Sequence, residues 1–315
     1  MTWDTSRTSH GLRQKITATA AGTWTLGDLP VSRIGFGAMR LTGTAAFHLG
    51  APRERERSIG VLRRAFEMGV NHIDTAAFYF SSLRSANELI NSALGGPYPD
   101  DLVVVTKVGP HRAYSGEWGT AARPDQLRGQ VEENLRQLGR DHLDVVNLRR
   151  MRQDSIAEHF GALAELRDAG LVRHLGVSGV EARHLAEARA IAPVVCVQNQ
   201  YGLHSPDPDA DEVLRVCGEQ GIAFVPFYAI AGDAGPGGAS TAHDDELLAV
   251  ARVHDATPAQ VRLAWTLHQG PHVLAVPGTG NPDHLVENIA AGALRLTADE
   301  VARLDAVRRG EPATL

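Results

Sequence analysis

From Val31 onward, short apolar runs alternate with amphipathic stretches of a dozen or more residues, the pattern of a parallel sheet with crossover helices. Eight apolar runs fall near 32–37, 70–74, 102–107, 143–148, 172–177, 194–198, 222–226 and 273–276. Eight βα units in roughly 280 residues predict an α/β fold closed into a (β/α)8 TIM barrel. Pro124, then Leu127, Val131, Leu135 and Leu138 on one stripe, then Gly139, read as the start, buried face and stop of one outer helix. Thr257-Pro258 opens another, with Val261 and Trp265 inward, and Asn281-Pro282 a third whose first N–H groups face the barrel mouth. Residues 24–31 alternate around Gly27-Asp28 and predict a β-hairpin that plugs the bottom of the barrel. The Gly-rich segment 232–242 reads as a lid over the site.

Residues 1–22 are polar enough to be expected as a flexible extension, leaving 23–315 as a single barrel. The first ten residues lack the apolar stretch of a secretory signal, and no apolar run reaches the eighteen or so residues of a membrane span. A net charge of −6 offers no basic stripe for nucleic acid. The expectation is a cytoplasmic enzyme of a small-molecule substrate, with neither nucleic acid nor membrane as partner. Cys196 and Cys217, the two cysteines, sit in apolar company and read as core rather than as metal ligands or a disulfide, so no metal site is expected.

On this strand reading Asp74, Lys107 and Arg149 stand at the C-terminal ends of strands two, three and four, and Tyr79 lies in the loop after strand two. That face carries the site in barrel enzymes. An Asp–Lys pair alone reads more often as a structural ion pair than as a site, but a tyrosine beside a lysine can act as a proton donor. The phenol has a pKa of roughly 10 in water, and a neighbouring ammonium favours the phenolate.

These residues sit in segments that together resemble the aldo-keto reductase family over about residues 24–310. The matching segments are Arg33-Ile-Gly-Phe-Gly-Ala-Met39, Gly69-Val-Asn-His-Ile-Asp-Thr75, Val104-Val-Thr-Lys107, Leu175-Gly-Val-Ser178, Val197-Gln198, and Val276-Pro-Gly-Thr279 through Glu287-Asn288. The resemblance implies carbonyl reduction by hydride transfer from NADPH bound across the barrel mouth, with no Rossmann domain. It makes Tyr79 the general acid and Lys107 and Asp74 its tuning pair. It implies cofactor contacts from Gly37, Ala38, Met39, Ser178, Gln198, Phe227, Pro277, Gly278 and Thr279, with His284, Glu287 and Asn288 toward the adenosine end. Phe227 matches a ring that stacks on the nicotinamide. His284 stands where many members carry an arginine for the 2′-phosphate, so NADP preference rests on a weaker cation.

Two departures stand out. Arg149 occupies the usual place of an active-site histidine, and Gly179 the place of an asparagine that contacts the carboxamide. A guanidinium cannot act as a neutral acid–base group, but it can hold an oxyanion or a substrate phenolate. The same arginine, with the surrounding motifs, resembles a branch that includes bacterial pyridoxal reductases. Phe80 and Trp118, together with His111-Arg112, are the expected substrate-shaping residues. The alternatives are a secondary-metabolism tailoring reductase of a larger ketone, imine or enone, and a nicotinamide-cofactor-sensing binding subunit.

Overall fold

The computed structural model describes residues 16–43, 51–113, 115–230 and 245–311. The chain enters through a hairpin, β1 (Thr23–Leu26) and β2 (Leu29–Ser32), paired antiparallel with Leu26 opposite Leu29. Then come β3 (Phe36–Gly37), β4 (His72–Asp74), β5 (Val103–Val108), a side hairpin of β6 (Pro110–Arg112) and β7 (Trp118–Ala121), β8 (Leu143–Arg149), β9 (Val172–Ser178), β10 (Cys196–Gln198) and β11 (Ala223–Phe224). Leaving out the side hairpin, the seven strands from β3 to β11 lie parallel in chain order. The eighth position is filled by residues 273–276. Parallel bridges tie Val273 to Phe224 and Ala275 to Ile34, and Gly35 N donates to Ala275 O at 2.8 Å, closing the sheet on itself. This is the α/β barrel expected from the eight apolar runs.

The helices cover the outside: α1 (Arg55–Glu67), α2 (Ala86–Leu94), α3 (Leu127–Leu138), α4 (Ala157–Asp168), α5 (Ala182–Ile191), α6 (Pro208–Glu219), α7 (Asp245–Val253), α8 (Pro258–His268), α9 (Pro282–Ala290) and α10 (Ala298–Arg309). Pro124 opens a short 3-10 turn ahead of α3 rather than α3 itself, and Gly139 ends it. Thr257 caps α8 through a reciprocal bond with Gln260, and Val261 and Trp265 are fully buried beneath it.

Strand alternation sorts the core into two layers. Val103, Val105, Val145, Cys196, Ala223, Val225 and Leu274 fill the barrel interior together with Leu26 and Val31 of the hairpin, which therefore plugs the foot as expected. Their neighbours Val104, Val146, Val177 and Val197 face the helices. The inward parity continues up each strand: 103 and 105 lead to Lys107, 145 to Asn147 and Arg149, 196 to Gln198, and 223 and 225 to Phe227. A period of two residues thus delivers the polar side chains to the interior at one rim.

Two boundaries shift. The first barrel strand is shorter than 32–37, because Ser32 pairs with Thr23 in the hairpin and its N–H donates to Asn71 Oδ1 at 2.8 Å. The extension expected through residue 22 is packed from Ala18 onward. Ala18–Ala21 form a 3-10 turn, and Ala18 is fully buried with its N–H on Met68 O at 2.8 Å. Alanines there fit a crevice that longer polar side chains would not. The expected lid at 232–242 and the first fifteen residues lie outside the described residues. Among the described residues no helix is long and apolar enough to cross a membrane.

Candidate active site

At the C-terminal rim a cavity of about 400 Å³ opens, lined by Asp74, Tyr79, Lys107 and Arg149 together with Gly37, Met39, Trp118, Ser178, Phe227, Pro277 and Gly278. The strand register explains the convergence: Gly37 lies beside Asp74, and Ser178 is in register with Arg149 on one side and Gln198 on the other. Lys107 Nζ donates to both Asp74 oxygens, at 2.6 and 2.7 Å, and to Thr75 O at 3.0 Å. Its ammonium sits 4.9 Å from the centre of the Tyr79 ring.

Burial and the neighbouring charges act on the Tyr79 phenol together. Burial pushes the Tyr79 pKa well above its ordinary value, Asp74 adds to that rise, and Arg149 is the cation that opposes it. Lys107 is itself lowered, first by burial, with the Asp74 charge holding it up. The ammonium and the carboxylate of this pair are held at contact distance beneath the phenol. The direction of the shift favours the protonated phenol, the form that donates.

Arg149 does not turn toward solvent. Its Nη1 donates to Ser178 Oγ at 3.3 Å, and its guanidinium lies 5.0 Å from the centre of the Phe227 ring. A Cβ placed on residue 179 would collide with Nη1 and Cζ of this guanidinium, and Gly179 has φ +69. The two departures from the family pattern are thus one arrangement, in which the missing side chain at 179 is the space the arginine uses. Asn199 Oδ1 accepts from the N–H groups of Gly179 and Val180 at 2.9 and 3.0 Å and fixes that turn.

Gln198 lies outside the main cavity. Its Nε2 donates to Asp74 Oδ1 at 3.0 Å, and its buried Oε1 has no hydrogen-bond partner among the described residues. Gly37 and Gly278 close the seam between the first and eighth strands so tightly that a Cβ on either would meet the other strand's carbonyl side at 2.5 Å. Ala38 is buried in the core rather than on the cavity wall. Thr279 and Asn288 are buried, Glu287 is half-buried and His284 is exposed, all beyond the cavity on the approach to or within α9. Thr279 Oγ1 accepts from Asn281 N at 3.0 Å, and Asn281 caps Asp283.

Phe80 is not on the cavity wall. Arg112 stacks over its ring at 4.2 Å, and Phe78 takes the expected place, packed edge-on against Tyr79 at 5.3 Å and Trp118 at 5.7 Å. Arg112 is buried and not a wall residue either. Its Nη1 donates to Phe78 O at 2.7 Å and Phe80 O at 3.0 Å, pinning the backbone on both sides of Tyr79. Sequence reading missed Phe78, Arg40, Met151 and Tyr228, which also line the cavity. Phe78 was visible as the other aromatic beside Tyr79, but its direction depends on how the loop turns. Tyr228, at φ +64, follows the inward-pointing Phe227 and carries a second phenol whose pKa burial raises.

The model of the Aldo/keto reductase family matches residues 33–309. A pyridoxine 4-dehydrogenase of Escherichia coli K12 is 43% identical over 298 residues, covering 92% of this chain and 99% of the relative. An uncharacterized oxidoreductase of Schizosaccharomyces pombe is 35% identical, covering 95% and 94%. Among solved structures, an aldo-keto reductase of Klebsiella pneumoniae in complex with NADPH superposes with a TM-score of 0.73 at 26% identity, over 93% of this chain and 96% of that one. With a barrel of this topology, a match over nearly its whole length and these relatives, the chain belongs to the aldo/keto reductase family.

Proposed function

We propose that the protein reduces a small aromatic aldehyde of the pyridoxal type to its alcohol with NADPH, or runs the same couple in reverse. The observation that carries this reading is the fixed guanidinium of Arg149 inside the cavity, held by Ser178 and Phe227 and filling the space that Gly179 leaves. An aldehyde with an ionised hydroxyl on the neighbouring ring carbon matches a cation held beside the proton donor. The 43% identical relative is named for the oxidation of pyridoxine at its 4-position, the reverse of this reduction.

The residues present fit a nicotinamide cofactor. Phe227 offers a flat aromatic face, Ser178 a hydroxyl, and Gln198 Oε1 is a buried acceptor lacking a donor. When bound, the cofactor supplies a hydride to the carbonyl carbon. Tyr79 gives its phenolic proton to the carbonyl oxygen, and the phenolate left behind is stabilised by Arg149. Asp74 and Lys107 hold each other in place under the phenol, while Arg112 fixes the loop that presents it. Phe78 and Trp118 wall the side where a flat ring would lie.

The test follows loss of reduced-nicotinamide absorbance with pyridoxal and a panel of bulkier ketones and enones, beside Tyr79→Phe. Tyr79-dependent turnover of pyridoxal is expected, with roughly 100-fold or greater loss in the variant. Because the phenol pKa is raised, the donor stays protonated as pH rises, so reduction should show no loss of turnover from this group between about pH 6 and 9. Turnover of bulky carbonyls alone would move the enzyme to tailoring chemistry. Cofactor binding with no turnover of any carbonyl would favour the sensing subunit.

A further inference from the structure

Behind the rim pair, between the sheet and two outer helices, runs a buried strip of amides that the chemistry above does not use. Strand parity sends Asp74 and Lys107 into the barrel and their chain neighbours Thr75 and Thr106 outward, toward α2 and α3. Thr75 Oγ1 donates to Asn87 Oδ1 at 2.7 Å, and Thr106 Oγ1 donates to Asn134 Oδ1 at 2.6 Å. Asn87 Nδ2 joins the two by donating to Asn134 Oδ1 at 2.9 Å and to Gln137 Oε1 at 3.1 Å, while Asn134 Nδ2 donates to Gln130 O at 2.8 Å. Thr75, Asn87, Thr106 and Asn134 are all fully buried. The strip also reaches both segments that frame the cavity. Gly109 N donates to Gln130 Oε1 at 2.7 Å and Gln130 Nε2 to Pro110 O at 2.9 Å, at the root of the hairpin that carries Trp118. Ser85 Oγ donates to Gln137 Oε1 at 3.3 Å, next to the bond from Ala86 N to Tyr79 O at 2.9 Å that closes the tyrosine loop.

We propose that Asn134 and Asn87 are positioning residues for the proton-donor site: by holding Thr75 and Thr106 from behind, they set where the Lys107 ammonium and the Asp74 carboxylate stand beneath Tyr79. The inference rests on the carbonyl-reduction reading and extends it to two helices that take no part in lining the cavity. Apolar packing would join α2 and α3 to the sheet at less cost in desolvation, but it has no direction. Hydrogen bonds between buried hydroxyls and amides do, and a fully satisfied set of them admits one arrangement. The constraint passes to the site through two dipeptides, Asp74-Thr75 and Thr106-Lys107, each with one side chain in the site and one in the strip. It also passes through Thr75 itself, whose hydroxyl is held by Asn87 while its carbonyl accepts from Lys107 Nζ at 3.0 Å. A small displacement of either threonine therefore moves the ammonium against the phenol, and chemistry that depends on aligned groups is sensitive to such shifts.

The experiment compares Thr106→Val, which removes one hydroxyl and keeps the branched shape, with Thr106→Ser, which keeps the hydroxyl, and with Asn134→Leu. Melting temperature is the folding control, and if Asn134→Leu does not fold the two Thr106 variants decide. The first readout is NADPH-dependent reduction of pyridoxal. In Thr106→Val and Asn134→Leu, kcat should fall about tenfold while KM for pyridoxal and for NADPH stays within about twofold, and Thr106→Ser should remain close to wild type. The second readout needs no turnover. Lys15 and Lys107 are the two lysines of the chain, so lysine labelled with 13C at Cε gives one NMR signal for each, and Lys15→Arg assigns them. The Lys107 signal should move in Thr106→Val and Asn134→Leu and hold its place in Thr106→Ser. A wild-type kcat in Thr106→Val would overturn the proposal, as would a loss carried by KM, equal losses in the valine and serine variants, or an unmoved Lys107 signal. Wild-type protein that leaves pyridoxal untouched would sink the substrate reading instead, and the Lys107 signal would then decide the positioning role alone.

Discussion

Two aspartates at opposite ends of the barrel accept charged hydrogen bonds at the same 2.6 Å, Asp74 from Lys107 at the rim and Asp28 from His174 at the foot. The distances match, but the surroundings do not. The Asp74 and Lys107 side chains are 8% and 5% exposed, whereas Asp28 is 61% exposed. At the rim, each ion has given up its water and depends on the other. At the foot, water solvates the carboxylate whether or not a partner is present, and the hairpin is held by Leu26 and Val31 in the barrel interior. Equal contact geometry therefore carries unequal weight, and burial decides which pair matters.

The largest effect should follow from breaking only one side of the rim pair. Lys107→Met leaves a buried carboxylate without its cation, and is expected to cost about 3–5 kcal/mol in denaturant unfolding and to remove most turnover. Asp74→Asn/Lys107→Met should regain much of that stability while turnover stays lost. Recovery of both would mean the pair serves the fold alone.

A smaller effect is expected at the turn that seats the neighbouring guanidinium. Gly179→Ala costs roughly 1–2 kcal/mol for a side chain at φ +69 and also pushes Arg149 from its place. On carbonyl turnover, Arg149→Ala/Gly179→Ala should then be no worse than Arg149→Ala, since the space is already vacated. Additive losses in that cycle would separate the two residues.

The smallest effect belongs to the foot. Asp28→Asn should leave the unfolding midpoint and turnover within experimental scatter, although the native contact pulls the Asp28 carboxyl down to about 2, chiefly through His174 and then Arg173. By linkage, a lowered carboxyl contributes above its unfolded pKa and loses that contribution as pH falls through the folded one, so any difference between wild type and variant should shrink only in acid. A midpoint shift at neutral pH as large as that of the rim variant would reverse the ranking of the two ends.

The rim chemistry was legible in the sequence because strands obey a two-residue rule. Once the apolar run ending at Lys107 is a strand, Val103, Val105 and Lys107 share a face, and the same count places Asp74, Ser178, Gln198 and Phe227. Loops have no such rule. Phe78 and Phe80 have equal claims on paper, and Arg112 holds the backbone so that one lines the cavity and the other stacks on its guanidinium. Likewise the first barrel strand lost Ser32 to the hairpin through Asn71, thirty-nine residues away in the chain.

By itself, then, the sequence determined the barrel, the end at which the polar side chains emerge, and the identity of Asp74, Tyr79, Lys107 and Arg149, since periodicity and residue chemistry are local properties. Only the tertiary structure decided that Gly179 is the space Arg149 occupies, that Gly280 is filled by Arg53 from just ahead of α1, and that Arg149 lies near enough to act on the Tyr79 phenol. Those outcomes depend on excluded volume and on fields between groups distant in the chain, and both are set by where the loops bring atoms together in space.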